Sequence, residues 1–168
     1  KARELSAKYP DDSRLTAEVI RLLAATGKKP EAVKAADDLL AKQVAFAKAQ
    51  VEAAKKRADK DTPAPTPAQE AEVVDGVRAG TLLQLATAFN RAGAADEAKA
   101  RIDEALKIRP NNPAVQILRG EIALARQDWD TALAAYREIL EANKRNQTRP
   151  DVVARNNVAW LLAEKMND

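Results

Sequence analysis

The sequence predicts an all-α fold: a helical solenoid of stacked antiparallel helix pairs, with one inserted and protruding helical hairpin. The chain is rich in Ala and in charged residues, which reach 32%, whereas Gly and aromatic residues are scarce. Such a composition favours helix, because Ala and the long unbranched side chains lose little conformational freedom there. No alternating β-branched stretch has turn residues on both sides. A helix–turn–helix pattern, moreover, recurs along the chain.

Proline-containing turns separate the predicted helix pairs. The segments "YPDDS" and "RPNNP" end helices at Pro10 and Pro110, because the residue before a proline is disfavoured in the α region. The Asp and Asn residues that follow are good N-caps for the next helix. Shorter breaks recur in "ATGKKPEA", "RAGAADEA" and "ARQDWDTA". We therefore expect turns inside each pair near residues 26–30, 92–96 and 126–130.

Two long segments align with each other. Residues 82–112 match residues 116–146 at an offset of 34 throughout, and small residues coincide at two sites. These pairs are Ala86 with Gly120, and Ala98 with Ala132. Small side chains at these sites would let the two helices of a pair cross closely. A 34-residue helix–turn–helix period with this pattern resembles the tetratricopeptide repeat (TPR), and the run "NNVAWLLAEK" is similar to repeats common in bacterial TPR arrays.

The resemblance covers most of the chain, with departures. Gln127 stands at the usual turn glycine, Lys144 at the terminal proline and Ile20 at a small-residue site. The resemblance implies a single solenoid domain made of six segments. They are the end of a preceding repeat (1–12), a repeat (13–46), a helical hairpin extension (47–78), two repeats (79–112 and 113–146), and a linker with the first helix of a further repeat (147–168).

The hairpin prediction comes from residues 47–78, which interrupt the period. Apolar residues alternate at spacings of four and three from Leu40 to Ala58, which is typical of a coiled-coil seam. The segment "DTPAPTP" then ends the helix, and a second helical stretch leads back. Gly76 and Gly80 either permit close approach of the two arms or mark a kink. The insertion is either a solvated spacer or a docking element.

The sequence contains little that could perform catalysis. It has no His and no Cys, the commonest general base and the commonest soft metal ligand. There is no Gly-rich phosphate loop. We predict no enzyme activity, no catalytic residue, no cofactor and no metal site. The 28 basic and 25 acidic residues are too balanced to favour nucleic-acid binding, and no apolar run is long enough for a membrane span.

The TPR resemblance implies a concave surface, lined by the first helix of each pair, that holds a peptide or protein segment. Carrying the family's groove positions over gives these candidates: Arg14, Arg21, Thr87, Asn90, Arg91, Glu121, Asn156 and Trp160. Each has an alternative interpretation. The arginines of the first helix also fit a solvated face, and Asn90 and Arg91 fit a helix end. Trp160 either lines the groove or packs on a following helix, whereas Trp129 is predicted to pack at its turn.

The leading functional hypothesis is a protein–protein interaction scaffold. The alternative is a structural spacer or assembly segment of a longer bacterial envelope or export TPR protein, with the hairpin 47–78 as its docking element. RNA binding by related 35-residue repeats is disfavoured by the period and the charge balance. The incomplete last repeat also suggests a surface for self-association. We expect a piece of a longer protein, because the chain begins with Lys1; bacterial cytoplasm and periplasm both agree with the sequence.

Overall fold

The computed structural model describes residues 12–149 and 151–165. Within these residues the chain forms seven α-helices and no strand, which confirms the all-α prediction. The helices are α1 (Ser13–Ala25), α2 (Lys29–Arg57), α3 (Pro67–Arg91), α4 (Ala95–Ile108), α5 (Pro113–Ala125), α6 (Trp129–Arg145) and α7 (Val152–Glu164). The predicted end of a preceding repeat lies outside the described residues, except for Asp12.

Side-chain caps begin five of these helices. Each capping oxygen accepts a hydrogen bond from a backbone N–H of the first turn, which satisfies a donor that the helix leaves free. The caps are Asp12, Thr66, Asn112, Asp128 and Asp151. Thr66 and Gln69 form a reciprocal capping box. Asp12 and Asn112, which follow Pro10 and Pro110 in the sequence, therefore cap the start of the next helix, as the sequence predicts.

The turns inside the three helix pairs share one geometry. In each, a backbone N–H donates to the carbonyl oxygen five residues earlier: Lys28 to Leu23, Ala94 to Phe89 and Asp128 to Ala123, all at 2.9 Å. The residue before each donor is in the left-handed region: Gly27 (φ 80°), Gly93 (φ 73°) and Gln127 (φ 59°). This is a Schellman-type helix end, for which glycine is the preferred residue. The turns lie at 26–28, 92–94 and 126–128, at the predicted places.

Small residues make the helix crossings possible. Gly120 lies directly against the ring of Tyr136, and a Cβ atom added to Gly120 would be only 2.5 Å from the ring carbon Cζ. Ala86, Ala98 and Ala132 are completely buried. The predicted close contact between the two helices of a pair is confirmed at Gly120.

Helices α2 and α3 extend beyond the repeats and pack against each other. Each is continuous, with 29 and 25 residues, and residues 58–66 connect them. Lys55 of α2 forms an ion pair with Glu70 of α3 at 2.7 Å. Gly76 and Gly80 lie inside α3 without ending it, and a Cβ added to Gly80 would meet nothing within 4 Å. A Cβ added to either glycine would meet no atom of α2 within 4 Å, so close approach of the arms does not require a glycine at these positions. The division of the chain at residues 47–78 stays a prediction.

Candidate functional site

A groove lies between α1 and α3 and has a volume of about 230 Å³. It joins the first helix of one repeat to the equivalent helix of the next. Four of the predicted groove residues line it: Arg14, Arg21, Thr87 and Arg91. The other lining residues are Ala17, Glu18, Gln84 and Ala88. The structure thus brings together half of the predicted site, from residues far apart in the sequence.

A bidentate ion pair within α1 holds the Arg21 side chain in place in this groove. Arg21 donates hydrogen bonds to both carboxylate oxygens of Glu18, from Nε at 2.9 Å and from Nη2 at 2.6 Å. These bonds raise the pKa of Arg21 and hold the pKa of Glu18 below its ordinary value. The positive charge of Arg91 lowers the pKa of Glu18 further. Both groups are therefore charged at neutral pH, and the planar guanidinium is held in one orientation.

Two further guanidinium groups are available to a ligand. The side chain of Arg14 is 89% exposed, and its ion pair with Asp12 is long at 3.7 Å. Arg91 is exposed and forms no ion pair with any other described residue. With three arginines and the single carboxylate of Glu18, the lining of the groove carries a net positive charge.

The floor of the groove is formed by small apolar side chains and by polar ones. Ala17 and Ala88 are 8% and 7% exposed and leave room above the helix backbones. The Gln84 side-chain amide donates to the Ser13 carbonyl at 3.0 Å, which ties α3 to the start of α1. The Thr87 hydroxyl donates to the Leu83 carbonyl at 2.9 Å. An extended peptide would meet both apolar and polar surface here.

Sequence reasoning missed Glu18 and Gln84. Each lies three residues before a residue that was predicted, Arg21 and Thr87 respectively. Residues three apart share a helix face, so this spacing was the available signal.

The other predicted residues do not line this groove. Asn90 is half-buried, and its carbonyl accepts a hydrogen bond from Gly93 in the turn. Glu121 is exposed on α5 near Tyr136. Burial, and to a smaller extent the charge of Glu121, raises the pKa of Tyr136 to about 12. Asn156 is exposed on α7.

Trp160 contacts a residue that sequence reasoning did not pair with it. Its ring meets Trp129 edge-to-face, with 6.3 Å between the ring centroids. The Lys165 ammonium lies 5.6 Å and 5.4 Å from the centroids of Trp129 and Trp160, within cation–π range. Trp160 therefore packs on the preceding helix, which neither predicted alternative included. Trp129 packs against a buried cluster at its turn, as predicted.

The comparison with protein families agrees with the geometry of the turns and crossings. Residues 89–151 match the family model described as tetratricopeptide repeat. The match assigns tetratricopeptide repeats to this segment of the chain. The matched segment holds the turn at Gly93, the crossing of Gly120 with Tyr136 and the residues that lead into α7, whereas α1 and most of α3 lie outside it.

TPR segments are protein-interaction modules in general, and they are typically not catalytic. The matched segment therefore indicates protein–protein interaction in general. No curated protein matches it. Among the described residues, none of the helices is both long and apolar enough to cross a bilayer, and no group of three or more potential ligands could hold a metal ion.

Proposed function

We propose that this TPR chain is an interaction scaffold that holds an extended, acidic protein segment along its first helices, beginning in the groove between α1 and α3. The observation that carries the proposal is the excess of arginine in that groove. Arg14 and Arg91 have no strong acidic partner among the described residues, whereas Arg21 is fixed by Glu18. A carboxylate between two guanidinium groups gains charge-assisted hydrogen bonds in a surface that water already reaches.

An extended segment fits better than an apolar helix. The lining alternates small apolar residues with polar ones such as Gln84 and Thr87, and it has no large apolar pocket that would receive a bulky anchor. In the proposal the segment continues over α3, α5 and α7. In the proposal these helices present the remaining predicted residues to it: Asn90, Glu121, Asn156 and Trp160.

The proposal is tested with labelled peptides of equal length that are acidic, neutral or basic. Fluorescence anisotropy should show that the acidic peptide binds most tightly and that salt weakens its binding. Changing Arg21, Asn90 and Arg91 together to Ala should weaken binding by roughly tenfold or more, because hydrogen bonds to charged groups are strong. The free energy of unfolding should change by only about 1 kcal/mol, since none of the three residues is buried in the core.

Arg137→Ala is the matched control, because Arg137 is exposed on α6 and lines a different depression of the surface. It should leave the affinity unchanged. Equal affinity of the acidic and basic peptides, or an unaffected triple variant, would show that the groove is not the binding site.

A second candidate function uses the hairpin as a docking element in a longer assembly. One observation favours it: an open depression of about 720 Å³ at the hairpin tip is lined mainly by apolar residues, including Ala54, Pro63, Pro65 and Val73. In that case, removing residues 50–76 would abolish capture of a partner that the triple groove variant still binds.

A further inference from the structure

A cavity of about 120 Å³ lies between α4, α5 and the first turn of α6. Its apolar lining consists of Ile102 from α4 and of Ile122 and Ala123 from α5, and all three side chains are buried. The cavity shares no lining residue with the groove between α1 and α3. The remaining lining residues are charged or polar: Lys99, Asp103, Arg119, Arg126, Asp128 and Thr131.

The repeat pattern changes at two residues of this lining. At the 34-residue offset, Ala123 takes the place of Phe89, and Arg119 takes the place of Leu85. Phe89 and Leu85 are both completely buried in the core. In α5, one large apolar side chain is therefore replaced by a methyl group and the other by a guanidinium group, and both replacements line the cavity.

The cavity has the size of one aromatic ring. Apolar cavities of about 150 Å³ bind benzene, so the space beside Ala123 and the two isoleucines accommodates a phenyl ring. The chain itself places such a ring, that of Phe89, at the equivalent position of the preceding repeat. The side chains of Lys99 and Asp103, which also line the cavity, are about half exposed, so a ligand reaches it from solvent.

Arg119 is the lining cation with the longest ion-pair distance. Its Nη1 atom lies 3.6 Å from Oε1 of Glu138 and donates to Oε1 of Gln116 at 3.3 Å. Glu138 also accepts a shorter hydrogen bond, at 2.5 Å, from the Gln116 amide. Because both contacts of Arg119 use Nη1, its Nε and Nη2 atoms can donate to a further carboxylate.

The other charged groups of the lining are engaged within the fold. Lys99 pairs with Asp103 at 2.6 Å, and Arg126 pairs with Asp96. Asp128 accepts a hydrogen bond from a backbone N–H of α6 and caps that helix. Arg119 is therefore the group of the lining that is best placed to bind an anion.

We propose that this cavity binds a phenylalanine side chain of a partner protein, with a neighbouring carboxylate of the partner on Arg119. The ring then takes the place that Phe89 fills in the preceding repeat, and the carboxylate gains charge-assisted hydrogen bonds. All the lining residues lie within residues 89–151, the segment that indicates protein–protein interaction in general.

Phenylacetate is the first probe, because it carries both the ring and the carboxylate. Phenylacetamide and phenethylamine are its neutral and cationic counterparts. In NMR spectra of the whole chain with labelled isoleucine methyl groups, phenylacetate should shift Ile102 and Ile122 saturably, because a phenyl ring lies against them. Ile20, in α1, should not shift. Phenylacetate should bind roughly tenfold more tightly than phenylacetamide, since hydrogen bonds to charged groups are stronger.

Two variants restore the residues of α3 one at a time. Ala123→Phe should fill the cavity, abolish binding and raise the melting temperature, because a cavity lowers stability. Ala123→Val, which fills only part of the space, should weaken binding less. Arg119→Leu should still bind the ring but should no longer distinguish phenylacetate from phenylacetamide. Arg91→Ala is the control: it lies in the groove between α1 and α3 and should bind phenylacetate normally.

A blocked tetrapeptide, Gly-Asp-Phe-Gly, tests whether a protein segment is the occupant. It should displace phenylacetate, whereas Gly-Asp-Ala-Gly should not. Equal binding of phenylacetate and phenethylamine, or undiminished binding in both Ala123 variants, would overturn the proposal. So would phenylacetate binding that the peptide does not displace, because the occupant would then be a small molecule.

Discussion

The repeats and the hairpin arms use the same two helices, but different interactions hold them together. In the repeat part of α3, Leu82, Leu85 and Phe89 are completely buried. In the arms, Val73 is 47% exposed. Burying a large apolar side chain contributes about 1.5–3 kcal/mol, so the stabilising contacts are concentrated in the repeats.

The arms rely on smaller and more exposed contacts. Ala47 and Val51 are buried between them, and Lys55 forms ion pairs with Glu70 and Glu52. The hydrogen bonds to Glu70 and Glu52 raise the pKa of Lys55, but exposed ion pairs contribute little to stability. The arms are therefore held in place mainly because α2 and α3 run on from the repeats, whereas the repeats are stabilised by buried side-chain packing.

The largest expected effect on stability comes from Gly120→Leu, which disrupts the packing between the two helices of a repeat. The new side chain would be forced into the Tyr136 ring, and we expect the free energy of unfolding to fall by about 3 kcal/mol or more. Urea denaturation measures this. Gly80→Leu is the control, because an added Cβ at Gly80 meets nothing within 4 Å. If the two variants lost the same free energy of unfolding, packing at the Gly120 crossing would not be what stabilises the repeat.

A smaller effect is expected from Asp128→Ala, which removes the cap of α6. Asp128 accepts a hydrogen bond from the Thr131 backbone N–H at 3.1 Å, and losing such a cap costs about 1 kcal/mol. Hydrogen bonds from Thr131 hold the pKa of Asp128 below its ordinary value. The ionised cap therefore stabilises the fold above the unfolded-state pKa, and this contribution is lost as the pH falls through the folded-state pKa.

The difference in unfolding free energy between the original chain and Asp128→Ala should accordingly shrink on acidification. Parallel denaturation curves at neutral pH and below the folded-state pKa of Asp128 check this. Asp130→Ala, in the same first turn, serves as the comparison. A difference that stays constant with pH would mean that the carboxylate charge has no part in the cap.

The next expected effect is a gain in stability. Gln127 has the left-handed conformation that Gly27 and Gly93 adopt in the equivalent turns. Gln127→Gly should stabilise the chain by about 0.5–1 kcal/mol, because glycine adopts this conformation without strain. Gly93→Gln should have the opposite effect. Thermal unfolding of both variants tests whether the three turns are energetically equivalent, and a loss of stability in Gln127→Gly would show that they are not.

The elements that the sequence predicted well depend on local chemistry. Helix ends, caps and the turns at Gly27 and Gly93 follow from neighbouring residues, and the 34-residue offset located the close helix crossing at Gly120. The convergence of Arg14 and Arg91 was predictable only through the resemblance, because it depends on packing across the inserted residues. The Trp129–Trp160 contact was missed because five extra residues before α7 interrupt the offset and hide which helix faces Trp160.

The most direct test of the contrast between repeats and arms is to replace residues 50–76 by a short Gly-Ser turn and to measure thermal unfolding by circular dichroism. The repeats depend mainly on their neighbours. We therefore predict one cooperative transition, with a free energy of unfolding within about 1 kcal/mol of the original and a melting temperature shifted by only about 2–4 °C. A variant without a cooperative transition, or with helix lost beyond the residues removed, would show that the arms are part of the core.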